Sequence, residues 1–347
     1  MIKEIKLINF RNFDELKLNS LEKENFIIWK NGIWKTNILE SICILWNNSI
    51  TWLSLDELVK KWEDYFFIEY INNDWTKLSF TYIKEKKKRS YMFNNNKISK
   101  QKFSLLTHKC VVFSPIIMNM MYLSPSLRRD FLDSLLKSSF PVYEKLFSEY
   151  KKIVKQRNKA LKNINEWKCE KSEIDFWNNR FIESATEIYK YRFKIVNFFK
   201  ISMDSSLEYF SWKIKDIEFD YISKVDENST ESDLKKYLDK NLDRDIILWK
   251  TAIWPHVDDF EILIDSSPLA HFASRWETKS IILWLKLLEW VFIEKMTGAR
   301  PILIIDDLLS ELDNSHKDML LQKIEYYQTF ITSITKPENK DINIVTI

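Results

Sequence analysis

The chain opens with charged and aliphatic residues in alternation: Lys3, Glu4 and Lys6 are set among Ile2, Ile5, Leu7 and Ile8. A period of two puts neighbouring side chains on opposite faces of a strand, and residues 16–18 resume it, so two strands are predicted to pair around Arg11-Asn12-Phe13. Residues 25–28 read as a short buried strand, and from 36 to 45 the apolar residues Ile38, Leu39, Ile42 and Leu45 take up helical spacing. Further strands are predicted at 65–71, 76–83, 89–93 and 109–113. From Leu127 to about Phe210 the pattern becomes helical, with long helices at 142–164 and 172–199 and a hairpin break at 165–171. Their apolar residues look too few for a buried bundle, which predicts a projecting arm. Strands return at 217–222 and 260–264, a helix at 278–295, and an apolar run at 301–307 that ends in two carboxylates. The domain reading is 1–125, 126–212 and 213–347, with the arm in the middle.

Between the strand at 25–28 and the helix at 36–45 stands Trp29-Lys30-Asn31-Gly32-Ile33-Trp34-Lys35-Thr36. Strand, loop, helix is the setting of a phosphate loop, G-x-x-x-x-G-K-[ST], whose backbone N–H groups close around phosphate. Lys35 and Thr36 are in place, and tryptophan occupies 29 and 34, where the pattern needs glycine. The whole chain has 2 Gly and 14 Trp in 347 residues, whereas average usage near 7% gives roughly 24 Gly for this length. Asn73-Asp74-Trp75 repeats the substitution between two predicted strands, where Asp-Gly is the preferred pair of a two-residue hairpin turn. Glycine codons translated as tryptophan produce this pattern, as when UGA stands for glycine and is read as tryptophan. Trp177 is the best candidate for a genuine tryptophan, since glycine would weaken the helical run around it. Under the glycine reading the loop is intact. Taken literally, the indole at 34 intrudes into the phosphate nest and the chain is not expected to hydrolyse ATP.

Pro301-Ile302-Leu303-Ile304-Ile305-Asp306-Asp307 has the form of a Walker B element, a buried strand whose terminal acids hold Mg2+ and orient water. Ser310-Glu311-Leu312-Asp313 follows it. Ser274-Arg275-Trp276-Glu277, with glycine at 276, becomes an S-R-G-E signature at a helix N-terminus, where phosphate can approach. Trp249 to Asp259, with glycine at 249 and 254, forms one more block, containing Pro255-His256-Val257-Asp258-Asp259.

Five ordered blocks resemble the RecF family, the DNA replication and repair ATPases of bacteria. They are Ile8-Asn9-Phe10-Arg11-Asn12-Phe13; the phosphate loop through Asn37-Ile38-Leu39-Glu40; Phe113-Ser114-Pro115 with the stretch from Ser124 to Asp133; the Pro-His-Val-Asp-Asp block; and the signature with the Walker B strand. The resemblance implies an α/β fold, an ATP-binding-cassette head of the chromosome-maintenance type with a helical-hairpin arm lobe. It implies ATP and Mg2+ as cofactors, an ATP-dependent homodimer, DNA at single-stranded gaps and duplex junctions, and recombination-mediator partners that help load recombinase. By position, residues 29–37 would hold the nucleotide, from Trp29, Lys30, Asn31, Gly32, Ile33 and Trp34 to Lys35, Thr36 and Asn37. Lys35 would contact the β and γ phosphates, Thr36 and Asp306 would hold Mg2+, and Asp307 would position water. Ser274, Arg275, Trp276 and Glu277 would reach the nucleotide of the other subunit, Asp313 would lie at the dimer seam, and Arg11 would approach the nucleotide. Ser333 falls where related ATPases place a switch residue. Ile116 and Ile117 replace the family's acids after Phe-Ser-Pro, and Val257 replaces an arginine, removing a cation from a functional surface.

Composition narrows the remaining choices. The chain is 45% hydrophobic and 30% charged, ordinary for a soluble protein. It has no uncharged apolar run of about 18 residues and starts on charge instead of a signal segment, so a cytoplasmic protein without a membrane partner is expected. Cys43, Cys110 and Cys169 are odd in number and lack metal-type spacing. A net charge of +3 is too small to argue for nucleic acid, which leaves the clusters at 84–89 and 151–162 as candidate phosphate contacts. Phe176, Phe181 and Phe193 read as packing residues. A nucleotide-gated, DNA-dependent ATPase and a nucleotide-independent DNA-binding scaffold remain as the two function classes, and Trp34 separates them.

Overall fold

Short apolar runs that lack alternation form a five-stranded parallel sheet in the computed structural model, in the order Asn343–Val345, Glu24–Ile28, Thr329–Ser333, Ile302–Ile305 and Cys110–Phe113. The structure describes residues 1–28, 33–45, 53–204, 215–251, 255–310, 312–333 and 343–345. Every residue of Ile302–Ile305 and Cys110–Phe113 is buried, as expected for strands covered on both faces. The pairs Ile28 with Ser333, and Ile305 with both Ile331 and Phe113, bring the carboxyl ends of four strands level. Ligands of open parallel sheets bind at that end.

Two compact units divide the chain, Met1–Asn119 with Glu289–Ile347, and Met120–Leu288. The first unit also holds a six-stranded antiparallel sheet in the order Phe13–Leu18, Ile2–Phe10, Tyr65–Asn72, Lys77–Ile83, Lys88–Phe93, Asn96–Ile98. Phe10 pairs with Phe13, so the first hairpin turns through Arg11 and Asn12 as the alternation predicts. One apolar cluster joins both sheets of this unit through the helix Ile33–Ile44, whose Ile38, Leu39 and Ile42 are fully buried.

The second unit contains the helices Pro125–Ser139, Tyr143–Asn165 and Ile174–Asp204 and the three-stranded sheet Ser267–Pro268, Asp259–Ile264, Ile217–Ile222. Residues 215–288, grouped with the C-terminal half of the head in the sequence reading, lie in the same unit as the arm helices. The predicted hairpin forms, but its helices are not short of core. Tyr143, Phe147, Tyr150, Phe181, Ile188, Val196 and Phe199 are buried. Large aromatic side chains make up in area what the count of apolar positions lacks. Phe181 lies inside as expected and Phe193 stacks edge-on against Tyr221, whereas Phe176 is 63% exposed and does not serve as a core residue.

Among the described residues four tryptophans adopt left-handed backbone: Trp62 (φ +74), Trp75 (+62), Trp167 (+58) and Trp249 (+55). Trp62 is third in a turn closed by Glu63 N–H donating to Lys60 C=O, a place that favours glycine in type II turns. Trp75 ends the three-residue loop Asn73-Asp74-Trp75, with its N–H donating to Asn72 C=O. The expected two-residue turn is thus replaced by a longer loop whose last position is left-handed and also calls for glycine. After the helix Tyr143–Asn165, the N–H of Trp167 donates to Ile164 and that of Lys168 to Asn163. After Leu242–Leu248, Trp249 and Lys250 donate to Ile246 and Asp245 in the same way. Both are Schellman closures with tryptophan where glycine is commonest. Gly298 ends the helix Arg275–Thr297 in the same conformation, φ +68. Trp177 packs inside a helical run against Leu161, Ile164, Ile174 and Ile246, as its sequence setting predicts.

Candidate nucleotide-binding site

The parallel sheet delivers four side chains to one place. Lys35 and Thr36 lie in the first turns of the helix that follows Glu24–Ile28, while Asp306 and Asp307 follow Ile302–Ile305. Thr36 Oγ1 donates toward the Asp306 carboxylate, 3.2 Å from each oxygen. Lys35 is 1% exposed, and its Nζ donates to Asp307 Oδ1 at 3.1 Å and to the carbonyl oxygen of Ser333 at 3.5 Å. Burial raises the Asp306 pKa above the ordinary aspartate value, the Asp307 charge adds to this, and hydrogen bonds from Thr332 and Thr36 with the Lys35 charge oppose it.

Thr332, which no sequence motif marks, ties the two acids together. Its hydroxyl donates to Asp306 Oδ1 at 3.0 Å and accepts the N–H of Asp307 at 2.8 Å. Asp307 has φ +48, an uncommon conformation for aspartate, and the Thr332 contact holds it there. The sequence signal was weak: a lone threonine at the end of the strand Thr329–Ser333, beside the serine that attracts attention. Arg11, at φ +56, directs its Nε to Asn37 Oδ1 at 3.0 Å, and Asn37 Nδ2 is buried without a hydrogen-bond partner among the described residues. A buried ammonium and an orphaned amide donor suit an anionic ligand, and the Thr36 hydroxyl with the Asp306 carboxylate is a hard-oxygen pair that suits Mg2+.

Trp29, Lys30, Asn31 and Gly32 lie outside the described residues, and Ile33 begins the helix. Trp34 is 38% exposed and meets the Phe13 ring edge-on at 5.0 Å. Ile116 is exposed, and Ile117 packs against the core of the first unit, so neither substitutes for an acid.

The signature residues belong to the second unit and close on one another. Glu277 Oε2 accepts the N–H of Ser274 at 2.8 Å and its hydroxyl at 2.7 Å, and Ser274 Oγ accepts the N–H of Glu277 at 3.2 Å. This is a capping box on the helix Arg275–Thr297. Arg275 and Trp276 are exposed there, and in the first unit Asp313 is exposed just before the helix Asn314–Ile324.

The Pro-His-Val-Asp-Asp block is inward-facing except at Val257. His256 Nε2 donates to Thr251 C=O at 3.1 Å, which leaves Nδ1 to accept the Tyr150 hydroxyl at 2.6 Å. Asp258 accepts from Tyr221 and Ser223, and Asp259 takes both arms of Arg128, at 2.8 and 2.7 Å. Three residues of this block therefore hold the second unit together. Val257, 46% exposed, leaves the arginine's place on the surface uncharged.

No family model matches the chain. It is 33% identical over 350 residues to the DNA replication and repair protein RecF of Thermoanaerobacter sp. (strain X514), covering 98% of this chain and 95% of that protein. With RecF of Streptococcus gordonii the identity is 31%, covering 100% of this chain and 98% of the relative. Its fold matches a solved structure of the recombination mediator protein RecF with ATPrS in the RecFOR pathway, at a TM-score of 0.91 and 31% identity over 100% of this chain and 96% of that one. The corresponding RecF-ATP structure gives a TM-score of 0.88 at 31% identity, over 98% and 93%.

Proposed function

The chain belongs to the RecF family of DNA replication and repair proteins, and from that membership we propose that it is an ATP-dependent DNA-binding protein of replication and recombinational repair. The observation that carries the reading is the meeting of Lys35 and Thr36 with Asp306 and Asp307 at the carboxyl end of the parallel sheet. Lys35 neutralises the β and γ phosphates once it exchanges the Asp307 carboxylate for them. Thr36 and Asp306 hold Mg2+, which when bound neutralises charge on the phosphate oxygens. Asp307, released from Lys35 and fixed by Thr332, orients the attacking water. Ser274, Arg275 and Glu277 serve the nucleotide of a second copy, Asp313 lies at the seam, and Arg11 supports the site through Asn37. ATP thereby favours a homodimer that holds DNA at gaps or duplex junctions and works with recombination mediators to load recombinase.

A nucleotide-independent DNA-binding scaffold is the second reading. It is favoured by Trp34, whose indole finds a place against Phe13, and it needs no phosphate loop. Gel filtration with and without ATP on the Trp29→Gly/Trp34→Gly protein separates the two. The ATPase reading expects a dimer with ATP only, lost on Lys35→Ala; a repaired protein that stays monomeric with ATP supports the scaffold.

A further inference from the structure

The arm helix Tyr143–Asn165 sorts its basic residues by face. Arg157 is fully buried, its Nη1 donating to Asp245 at 2.8 Å and to Thr251 at 2.6 Å and its Nε to Asn178 at 2.9 Å. Lys151 leans over the Phe147 ring with its Nζ 4.4 Å from the centroid. Lys152, Lys155, Lys159 and Lys162 are exposed and recur at three- and four-residue intervals, which puts them on one face. Between Glu149 and Glu166 the sequence has no acid, and of these four lysines only Lys162 has an ion-pair partner among the described residues, Glu166 at 3.6 Å. The antiparallel helix Ile174–Asp204 differs: Arg180 is paired with Glu183 at 3.3 Å, and Lys190 with Glu187 at 2.5 Å.

We propose that the face bearing Lys152, Lys155, Lys159 and Lys162 binds the phosphate backbone of double-stranded DNA. The proposal rests on the DNA-binding reading above and names the surface that carries it. At 1.5 Å per residue the row spans about 15 Å, the rise of roughly four to five base pairs. Ammonium groups on flexible stems neutralise phosphates without reading bases, and the row carries no arginine fork for a base edge. A single-strand site would need stacking platforms. The only aromatic residue from Tyr150 to Asn165 is Tyr150 itself, which is buried and bonded to His256. Each phosphate neutralised releases counterions, so the row contributes a definite share of the salt dependence of binding.

The test uses the whole chain carrying Trp29→Gly/Trp34→Gly, with ATP present, and two random-sequence duplexes, with binding followed by fluorescence anisotropy across a salt series. The variant Lys152→Ala/Lys155→Ala/Lys159→Ala is expected to lower the slope of log affinity against log salt by about 3, equally for both sequences, and to weaken binding on the order of a hundredfold at 0.1 M salt. Lys190→Ala/Lys194→Ala, on the other helix, is expected to leave the slope unchanged. All five lysines are solvent-facing, and an unchanged thermal midpoint checks that the variants fold. An unaltered slope in the triple variant overturns the proposal while the DNA-binding reading stands. Equal loss of binding to anionic phosphatidylserine vesicles reassigns the face to a lipid surface and overturns it as well. Failure of the Trp29→Gly/Trp34→Gly chain to bind duplex with ATP present overturns the functional reading itself.

Discussion

Trp167 and Trp249 close two helices in a conformation that costs an L-residue about 1 to 2 kcal/mol and glycine almost nothing. The Trp167 indole gains little in return, being 95% exposed, while that of Trp249 is 46% exposed with Lys162 Nζ 5.5 Å from its ring centroid, which offsets part of the cost there. Trp167→Gly is therefore expected to stabilise the protein by about 1 kcal/mol and Trp249→Gly by less, each reduced by whatever the more flexible unfolded chain takes back. Trp177→Gly should lose at least that much through helix propensity and packing; urea midpoints of the three variants read all three signs. A literal requirement for tryptophan at 167 and 249 would show as destabilisation there too. The glycine deficit was legible in the sequence because turns and phosphate loops have strict backbone needs. Glycine was legible at Trp75, which a turn motif framed, and at Trp249, which its block framed, whereas nothing in the sequence framed Trp62 or Trp167. Thr332 escaped because its role depends on pairing between strands far apart in sequence, and Arg157 hid inside a basic run because net charge along a chain does not reveal which way a side chain faces.

Arg157 sets the energetics of the arm element. Its guanidinium is removed from water among Asp245, Asn178 and Thr251, and burial lowers its pKa below the ordinary arginine value despite the Asp245 charge. Removing one member of a buried pair leaves the other charge uncompensated, so Arg157→Ala is expected to cost about 3 to 5 kcal/mol. Lys159→Ala, two residues on and exposed, should stay within about 0.5 kcal/mol. Urea unfolding distinguishes them, and comparable losses at both positions would mean that Arg157 does not carry this load. Periodicity located the two arm helices to within a few residues, since a repeat of three to four survives any partner. What it missed was their environment: the sequence shows alternating apolar and basic residues, and only the fold shows that aromatic rings and a buried arginine share the inner face.

Among the described residues each compact unit contains one part-buried histidine held neutral, which gives the whole molecule a shared response to acid. His108 lies in the first unit, its Nε2 3.2 Å from Asn72 Oδ1, and His256 in the second, bonded to Tyr150 and Thr251. Burial lowers both to about 4 from a usual 6.5; the N-terminal amine adds to the shift at His108, and the Arg192, Arg129 and Arg157 charges add to it at His256. Between those pH values the unfolded chain holds a proton that the folded chain does not, so stability falls as pH drops from about 6.5 to 4, by about 1.4 kcal/mol per pH unit for each histidine. Above 6.5 neither contributes a slope, and below 4 both states are protonated. Asp258 acts in the opposite sense, because burial raises its pKa and favours its protonated form in the folded state. The wild-type curve therefore mixes signs, and the difference between wild type and His256→Gln isolates one histidine. That difference should shrink steadily from pH 6.5 to 4 in chemical denaturation, as the wild type loses an advantage that the non-titrating variant never had. A pH-independent difference would mean that His256 is protonated in the fold, with its Nδ1 donating to Tyr150 instead of accepting from it.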